Sequence, residues 1–565
     1  MDSSFLLILL LVTPLAGAVI GGFLSDAAAR GWALLVSLAT FGISIYIAMQ
    51  FFAGVNLAVH PPSALSPEYA QLSAIGANFS LGLTHISVWL VLLTTFLQPL
   101  AILSSFESVK MRQREYYAWI NALLVAMLGV FLARDLLLFY VFFELTLIPM
   151  YFIIGIWGGP DRRYAANKFF LFTFAGGVMT LAAAIYVGMS AGTFALDDWT
   201  VNGIVHQSSV IHWAQLHLSD TARWWVVIGL MAGFAVKTPL FPVHTWLPLA
   251  HTEAPTAGSV ILAGVLLKLG TYGLFIIAVP IGFFSPHGVM FPELIHFVSI
   301  ICIIGIIYGA LCAWVQPDIK KLVAFSSVSH LGFCVLGLFA LNDIGMQGSV
   351  LYMINHGLST GAMFLVIGMI YDRYHTRDIN KLSGLARNMP VMSFFFVFFT
   401  LSSIGLPGLN GFVSEFLTTL GAFTSPHLNP WYGSVAAIGI ILGAVYMLHM
   451  AARIIMGPLK VPDVDHGADH GHATPVKVGT LSYESHGHGP VKNDIGFREI
   501  GILVPIAIVV IIIGVQPNLI LKGMRADIES LREVPTLPAM AQKTSPSQPR
   551  DAVARVDVNA VVPGR

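Results

Sequence analysis

Apolar stretches about as long as a membrane-crossing helix follow one another along almost the whole chain. A helix needs about 20 mostly apolar residues to cross a bilayer, and fourteen such stretches lie between residues 4 and 521. The chain is 56% hydrophobic and 10% charged, whereas a typical soluble domain is about 25% charged. The pattern predicts an all-α polytopic membrane protein with about fourteen transmembrane helices.

The predicted spans are ordered along the chain with short connections between most of them. The first predicted span lacks a basic leading region and a convincing cleavage site, so we expect it to be retained rather than removed as a signal peptide. Their predicted bounds are 4–23, 31–52, 83–106, 115–133, 136–157, 166–190, 224–247, 256–279, 291–314, 319–341, 346–371, 391–423, 430–457 and 499–521.

The basic residues of the loops predict the orientation. Loops after odd-numbered spans hold eighteen Lys and Arg residues, whereas loops after even-numbered spans hold two, Arg134 and Arg223. Because short cytoplasmic loops carry the excess of Lys and Arg, we expect the odd loops to face the cytoplasm and both termini to face the periplasm.

Four ionisable side chains fall inside predicted spans: Glu144, Lys237, Lys268 and Glu415. A charge at the centre of a membrane helix costs roughly 2.5–3.5 kcal/mol on insertion scales. One interpretation is two structural ion pairs that tie helices together. The other is a set of proton sites, since a carboxylate that moves closer to or farther from a buried lysine changes its proton affinity.

Two of the predicted spans are interrupted by helix-breaking residues. GFAVKTPLFPVHTWLP (233–248) contains Pro239, which we expect to leave the Ala235 carbonyl free beside Lys237. TLSSIGLPGLNGFVSEF (400–416) repeats the pattern, with Pro407 before Glu415. Paired broken helices in the two halves of a transporter are typical of a transport site. Their spacing of five spans predicts two five-helix repeats, spans 4–8 and 9–13.

Three histidines, His244, His330 and His356, fall near these charges. A lone membrane histidine is more often a hydrogen-bonding structural residue, but serines beside His330 offer a polar lining, and histidine suits a proton shuttle. His330 and His356 as haem ligands is the alternative.

Little in the sequence indicates a cofactor or a metal. The three cysteines form no CxxC pair, which argues against an iron–sulfur cluster in this chain. A histidine-rich loop (His466, His470, His472, His486 and His488) offers ligands for Zn or Ni, but a solvated cytoplasmic loop is the favoured interpretation. The net formal charge is +0, so no nucleic-acid partner is indicated.

Three motifs resemble a known family. KTPLFPVHTWLPLAHTEAPTAGSVILAGVLLKLG, KKLVAFSSVSHLGF and LPGLNGFVSEF are similar to the antiporter-like, proton-pumping membrane subunits of respiratory complex I. The resemblance covers roughly residues 1–460 and the last span. It implies fourteen helices, two inverted five-helix repeats with spans 7 and 12 broken, and a polar axis along the membrane midplane.

The resemblance also implies roles for individual residues. Glu144 corresponds to a glutamate that pairs with Lys237, Lys268 to a central lysine, and Glu415 to a terminal acid. His330 and His356 correspond to linking residues between them, and we interpret His244 as a relay on the uptake side. The acid at position 415 favours the M type of subunit, since the L and N types carry a lysine there.

These features predict the organisation of the chain and its setting. We expect N-terminal helices (1–114), two repeats (115–283 and 284–457), the histidine-rich loop (458–498), a last helix (499–521) and a polar tail (522–565).

The resemblance implies a translocating subunit without redox chemistry of its own in the bacterial inner membrane. Its partners would be L and N neighbours, lipids, and subunits that carry flavin, iron–sulfur clusters and quinone. The alternatives are an Mrp-type cation/proton antiporter subunit, a membrane-bound hydrogenase subunit, or a structural connector between pumping subunits.

Overall fold

A computed structural model describes most of the chain. The described residues are 3–55, 57–59, 76–197, 199–201, 204–207, 209–462, 494–532 and 534. The five histidines of the predicted histidine-rich loop lie outside them, as does most of the predicted polar tail.

Helices dominate the described residues, as the apolar pattern predicts. In chain order they are α1 Ser3–Phe23, α2 Asp26–Phe52, α3 His85–Ser108, α4 Gln113–Leu132, α5 Leu136–Leu145, α6 Leu147–Trp157, α7 Arg162–Ala191, α8 Val210–His217, α9 Asp220–Lys237, α10 Leu247–Glu253, α11 Thr256–Phe283, α12 Pro292–Trp314, α13 Ile319–Phe339, α14 Asp343–Tyr374, α15 Pro390–Ser403, α16 Asn410–Phe423, α17 Trp431–Ile455, α18 Phe497–Val515 and α19 Asn518–Arg532.

The strands are short and make only three two-stranded antiparallel hairpins among the described residues. Two 3₁₀ turns, Ile379–Lys381 and Leu385–Arg387, follow α14. The hairpins pair β1 Ala58–Val59 with β2 Leu81–Gly82, β3 Trp199–Val201 with β4 Ile204–Gln207, and β5 Phe284–Ser285 with β6 Gly288–Val289.

The predicted polytopic architecture is confirmed. Twelve helical stretches in the described part of the chain are long and apolar enough to cross a membrane, and α5 and α6 together count as one of them. The other two predicted spans are the interrupted helix pairs α9/α10 and α15/α16. The count of fourteen spans and the two inverted repeats stay predictions.

Three helices form the centre of the bundle. The most apolar 18-residue windows of α11 and α14 are 100% buried and that of α13 is 94% buried, against 39% for α1, α2, α7 and α17. A helix that is apolar all round is one that neighbours surround. Any polar side chain on α11, α13 or α14 therefore needs its partners inside the protein.

The first predicted break is present, but one detail of the prediction is wrong. Helix α9 ends at Lys237 and α10 begins at Leu247. The Ala235 carbonyl is not free, because the turn brings the Leu240 N–H within 3.0 Å of it. The Trp246 indole N–H also donates to the Val236 carbonyl over 2.9 Å, so the open end of α9 is tied to the segment that follows.

The second predicted break separates α15 from α16, between Ser403 and Asn410. Gly405 and Gly408 have φ angles of +72° and +92° there, a region that glycine adopts without the steric cost of a side chain. The Ser402 hydroxyl donates to Asn410 Oδ1 over 2.6 Å and so bridges the break.

Two irregularities are absent from the sequence-based expectations. The helix of the fifth span is interrupted at Thr146, between α5 and α6. Helix α11 contains two π turns, Leu262–Leu266 and Leu274–Ala278. Single π turns occur frequently at functional sites. The interruption at Thr146 contacts Lys237, and the first π turn lies beside Lys268, and both lysines are among the predicted site residues.

The two ends of the bundle differ in their charged residues. At one end, a cavity of about 950 Å³ contains basic side chains from five odd-numbered loops: Arg30, Lys110, Arg162, Lys320 and Arg377. At the other end, Arg134, Asp197 and Asp527 line a smaller cavity of about 80 Å³. The five odd-numbered loops that supply these basic residues therefore lie at the same end of the bundle, as the charge pattern predicts.

Candidate functional site

Four of the seven predicted site residues form one connected polar chain in the centre of the bundle. Lys268 on α11, His356 on α14, His330 on α13 and Glu415 on α16 are each at most 7% exposed. This chain of polar side chains runs from the first half of the protein to the second break.

Lys268 and His356 make the first link. Lys268 Nζ lies 2.8 Å from His356 Nδ1 and also donates to the Ala263 carbonyl of its own helix. In the π turn next to Lys268, the Leu267 N–H reaches back to the Leu262 carbonyl rather than to that of Ala263. The local widening of α11 therefore gives the lysine an acceptor in a region where water is excluded.

His330 and Glu415 make the last link through a residue that the sequence reasoning did not single out. The Tyr352 hydroxyl lies 2.6 Å from His330 Nδ1 and donates to Glu415 Oε1 over 3.1 Å. His330 Nδ1 and Glu415 Oε1 themselves are 3.6 Å apart. The tyrosine hydroxyl is thus the shorter connection between the histidine and the acid.

The middle of the chain is the contact between the two histidines. The ring centroids of His330 and His356 are 5.7 Å apart, and no direct hydrogen bond joins them among the described residues. Both rings line a cavity of about 20 Å³ beside Tyr352 and Glu415. A polar cavity of that size holds about one water, and a water bridges polar groups nearly as well as direct contact does.

The cavity also reaches the second helix break, where its walls are polar. Asn355 Nδ2 donates to the Ser414 hydroxyl over 3.0 Å and to the Asn410 carbonyl over 2.6 Å. The Ser359 and Ser402 hydroxyls lie 2.7 Å apart. These bonds replace part of the helix hydrogen bonding that the unwound backbone between α15 and α16 lacks, while Asn355 Oδ1 and the Ser403 hydroxyl are buried without a partner among the described residues.

Lys237 forms a second group in the first half of the protein. It is 3% exposed, and its Nζ donates to the Phe143 carbonyl over 2.6 Å and to the Thr146 hydroxyl over 2.8 Å. The ammonium also lies 3.7 Å from the centroid of the Phe143 ring. The interruption of the fifth span at Thr146 therefore supplies the acceptors for this lysine.

The pairing of Glu144 with Lys237 that the resemblance implies is absent from this conformation. Both carboxylate oxygens of Glu144 are buried without a hydrogen-bond partner among the described residues. Oε1 lies against Gly177 of α7, where an added Cβ would approach it to 2.0 Å. Two of the three donors of the Lys237 ammonium go to Phe143 and Thr146, and the third makes no hydrogen bond to Glu144.

His244 lies apart from both groups, in the break after α9. It is 3% exposed, and its Nδ1 has no partner among the described residues. Its ring stacks on Phe241 with 5.8 Å between centroids and meets Tyr308 edge-on. Its predicted relay role stays a prediction.

Besides Tyr352, the sequence reasoning missed His251. This residue of α10 is fully buried, stacks on Phe364 at 4.6 Å, and has no partner for either ring nitrogen among the described residues. It is close enough to Lys268 and Lys320 for their charges to act on it. Its place in the motif HTEAP, between the break and Lys268, is a signal that could have identified it.

The haem alternative for His330 and His356 does not fit this packing. The space at the two rings is only about 20 Å³. A macrocycle requires far more room than about one water does.

Comparisons with known proteins agree with this architecture. A family profile described as NADH:quinone oxidoreductase/Mrp antiporter, transmembrane, matches residues 133–449. NADH-quinone oxidoreductase subunit M of Rhodobacter capsulatus is 39% identical over 527 residues, which cover 91% of this chain and 94% of that protein.

Solved structures show the same fold. A chain of respiratory complex I from Thermus thermophilus aligns with a TM-score of 0.77 at 26% identity, and covers 94% of this chain and 99% of that one. A chain of the Mrp complex from Dietzia sp. DQ12-45-1b gives 0.77 at 20% identity, with 96% and 100% covered; this second likeness shows the fold alone. The chain therefore belongs to the family of transmembrane subunits shared by NADH:quinone oxidoreductase and Mrp antiporters.

Proposed function

We propose that the chain is the M-type, proton-translocating membrane subunit of an NADH:quinone oxidoreductase. The observation that supports this most directly is the buried polar chain from Lys268 through His356, His330 and Tyr352 to Glu415. Each of its side chains has a group that can gain or lose a proton, and all but Glu415 lie on the three most enclosed helices of the bundle, α11, α13 and α14. The similarity to relatives named subunit M supports the same assignment.

In this proposal, protons enter from the cytoplasm near the break after α9 and load Lys237 and Lys268. His244 acts on the uptake side, and His251 faces the same region. Thr238 packs against Gly270, which joins the segment after Lys237 to the helix of Lys268. Protons then pass His356 and His330 and leave near Glu415.

The Glu144–Lys237 arrangement supplies the variable element. In the described conformation, the carboxylate of Glu144 faces α7 and the lysine bonds Phe143 and Thr146. A movement of the carboxylate towards Lys237 would favour the charged lysine, and its return would favour release. Moving one charge across 100 mV costs about 2.3 kcal/mol, which a shift in charge contacts of this kind can supply.

The setting follows from the same proposal. We place the chain in the bacterial inner membrane with the end that carries the 950 Å³ cavity in the cytoplasm and both termini in the periplasm. Its neighbours would be the L and N subunits. Flavin, iron–sulfur clusters and quinone would be held by partner subunits, and this chain would carry out no redox step.

An Mrp-type antiporter subunit is the second candidate, because the fold of the Mrp complex is equally similar. The acid at 415 favours the first candidate, since the resemblance implies a lysine there in several antiporter subunits. A structural connector or a membrane-bound hydrogenase subunit are further alternatives.

Purification of the chain from its native membrane distinguishes these possibilities. We expect hydrophilic subunits that carry flavin and iron–sulfur clusters, with NADH oxidation, to copurify. Copurification with a hydrogenase, or sodium-dependent proton exchange by the reconstituted chain without any redox partner, would overturn the proposal. Substitutions of Lys268 and Glu415 that preserve pumping but disrupt assembly would instead indicate a connector.

A further inference from the structure

Tyr352 occupies a position that neither the family motifs nor the four membrane charges indicate. It belongs to α14, is 3% exposed, and places one hydroxyl between His330 of α13 and Glu415 of α16. The hydroxyl is 2.6 Å from the histidine Nδ1 and 3.1 Å from the carboxylate Oε1. The direct histidine–acid distance of 3.6 Å is beyond the usual hydrogen-bond range of about 2.7–3.2 Å.

Elementary hydrogen-bond chemistry fixes the direction of these two bonds when Glu415 is ionised. A carboxylate only accepts, so the Tyr352 hydroxyl must donate to it. The tyrosine oxygen then has a lone pair that accepts from His330, which requires the proton of His330 to be on Nδ1. The three groups are therefore aligned as donor, relay and acceptor.

We propose that Tyr352 is the proton relay between His330 and Glu415. This rests on the proposed function, because it concerns a step of the same proton path. When His330 receives a second proton, its Nδ1–H bond breaks as a new O–H bond forms on Tyr352. The original O–H bond of Tyr352 breaks at the same time, and that proton bonds to Glu415 Oε1.

The step leaves the molecule balanced. His330 returns to its neutral form, Tyr352 stays a neutral phenol, and Glu415 becomes a neutral acid. No oxidant or reductant takes part. The new hydroxyl proton now points to His330, whose remaining proton is on Nε2. After Glu415 has released its proton, the relay is reset by two changes: rotation of the Tyr352 hydroxyl back towards Glu415, and return of His330 from the Nε2–H to the Nδ1–H tautomer.

The packing around Tyr352 separates this role from a structural one. Its ring lies parallel to that of Phe333, with 6.2 Å between centroids, and a phenylalanine would keep that contact. The ring also meets that of His330 at a tilt, with 6.0 Å between centroids, and a phenylalanine would keep this contact as well. Only the hydroxyl makes the hydrogen bonds to His330 and Glu415. Tyr446 of α17 is a control, because it is 1% exposed and its hydroxyl, which faces Ser326, makes no hydrogen bond to His330 or Glu415 among the described residues.

The test uses the complete complex in native membranes, with Tyr352→Phe and Tyr446→Phe compared by protons translocated per NADH oxidised. Positioned proton-transfer groups contribute typically 10²–10⁴-fold. We therefore expect Tyr352→Phe to lower coupled proton transfer by about 100-fold, while Tyr446→Phe stays near wild type. Wild-type pumping by an assembled Tyr352→Phe complex would overturn the relay.

A second variant covers the case in which Tyr352→Phe fails to assemble or acts through packing. A fluorinated tyrosine at position 352 keeps the shape and the hydroxyl but makes the phenol more acidic. We expect the pH profile of coupled pumping to shift with the number of fluorines. An unchanged profile would show that the hydroxyl has only a structural role, and would overturn the proposal even if Tyr352→Phe is inactive.

The parent proposal fails separately. If Lys237→Ala and Glu144→Ala both pump normally, the proposed function fails, whatever Tyr352→Phe does. If Lys237→Ala stops pumping but Tyr352→Phe does not, only the relay is wrong.

Discussion

Lys268 Nζ lies 2.8 Å from His356 Nδ1, and this contact joins α11 to α14 at the centre of the bundle. Neither side chain has access to bulk water, since Lys268 is 0% and His356 is 4% exposed. A charge enclosed in this way is tolerated only when its neighbours share it. The two residues should therefore act as one unit in proton transfer.

A double-mutant cycle tests this unit. We expect Lys268→Met and His356→Gln each to abolish most coupled pumping, and the double variant to be no worse than the more severe single one. Residues in one network are strongly non-additive. Pumping rates of the three variants, each normalised to assembled complex, give the coupling, and losses that simply multiply would show independent residues.

Gly405 and Gly408 form a matched pair at the second break. Both have positive φ, so an alanine at either costs roughly 1–2 kcal/mol of backbone strain. Only Gly405 lies against Glu415, where an added Cβ would approach Oε2 to 2.3 Å, whereas Gly408 has open space.

We expect Gly405→Ala to displace the Glu415 carboxylate and reduce pumping by at least about tenfold, as a 1.4 kcal/mol penalty would. Gly408→Ala should assemble and pump nearly as wild type. Equal loss in both variants would mean that backbone strain, and not the position of the carboxylate, limits the function.

The carboxylate of Glu144 can be displaced without a substitution of Glu144 itself. Gly177→Ala places a Cβ 2.0 Å from Oε1 of Glu144, and the flexible carboxylate must leave its place against α7. We expect a clear decrease in pumping, measured against Gly443→Ala in α17, where an added Cβ meets nothing within 4 Å. Wild-type pumping by Gly177→Ala would show that the orientation of the carboxylate towards α7 has no part in the cycle.

The bond across the first break is also testable. Trp246→Phe removes the indole donor to the Val236 carbonyl and should destabilise the end of α9 by about 1 kcal/mol, with a lower pumping rate although Lys237 is intact. Trp157→Phe is the control, because it removes a similar bond, to Met111 at 2.8 Å, which does not involve Lys237 or Lys268. Thermal stability and pumping rate would be measured for both variants. Equal changes in Trp246→Phe and Trp157→Phe would contradict a special role for the first break.

Much of the architecture can be predicted from the sequence, because membrane helices are recognisable by their length and their apolar composition. The breaks could be predicted for a similar reason, since Pro239 and Pro407 act locally. The hydrogen bond of the Ala235 carbonyl could not be predicted. Its donor, the Leu240 N–H, reaches it only because of the way in which the chain turns after Pro239.

The site was only partly predictable. Charges stand out in an apolar chain, so the sequence alone indicates Lys268 and Glu415 as candidate site residues. Tyr352 did not stand out, since a tyrosine in a membrane span is unremarkable until the packing of α13, α14 and α16 puts its hydroxyl between two titratable groups. The π turn beside Lys268 likewise has no local sequence signal, because the contacts of a fully buried helix produce it.

Proton translocation by Lys237→Ala and Glu144→Ala complexes is the most direct test of the central claim. Each assembled variant would be measured in native membrane vesicles for NADH oxidation with quinone and for the accompanying proton movement. The proposed path predicts severe loss of quinone-coupled pumping in both. Normal pumping in both would contradict it.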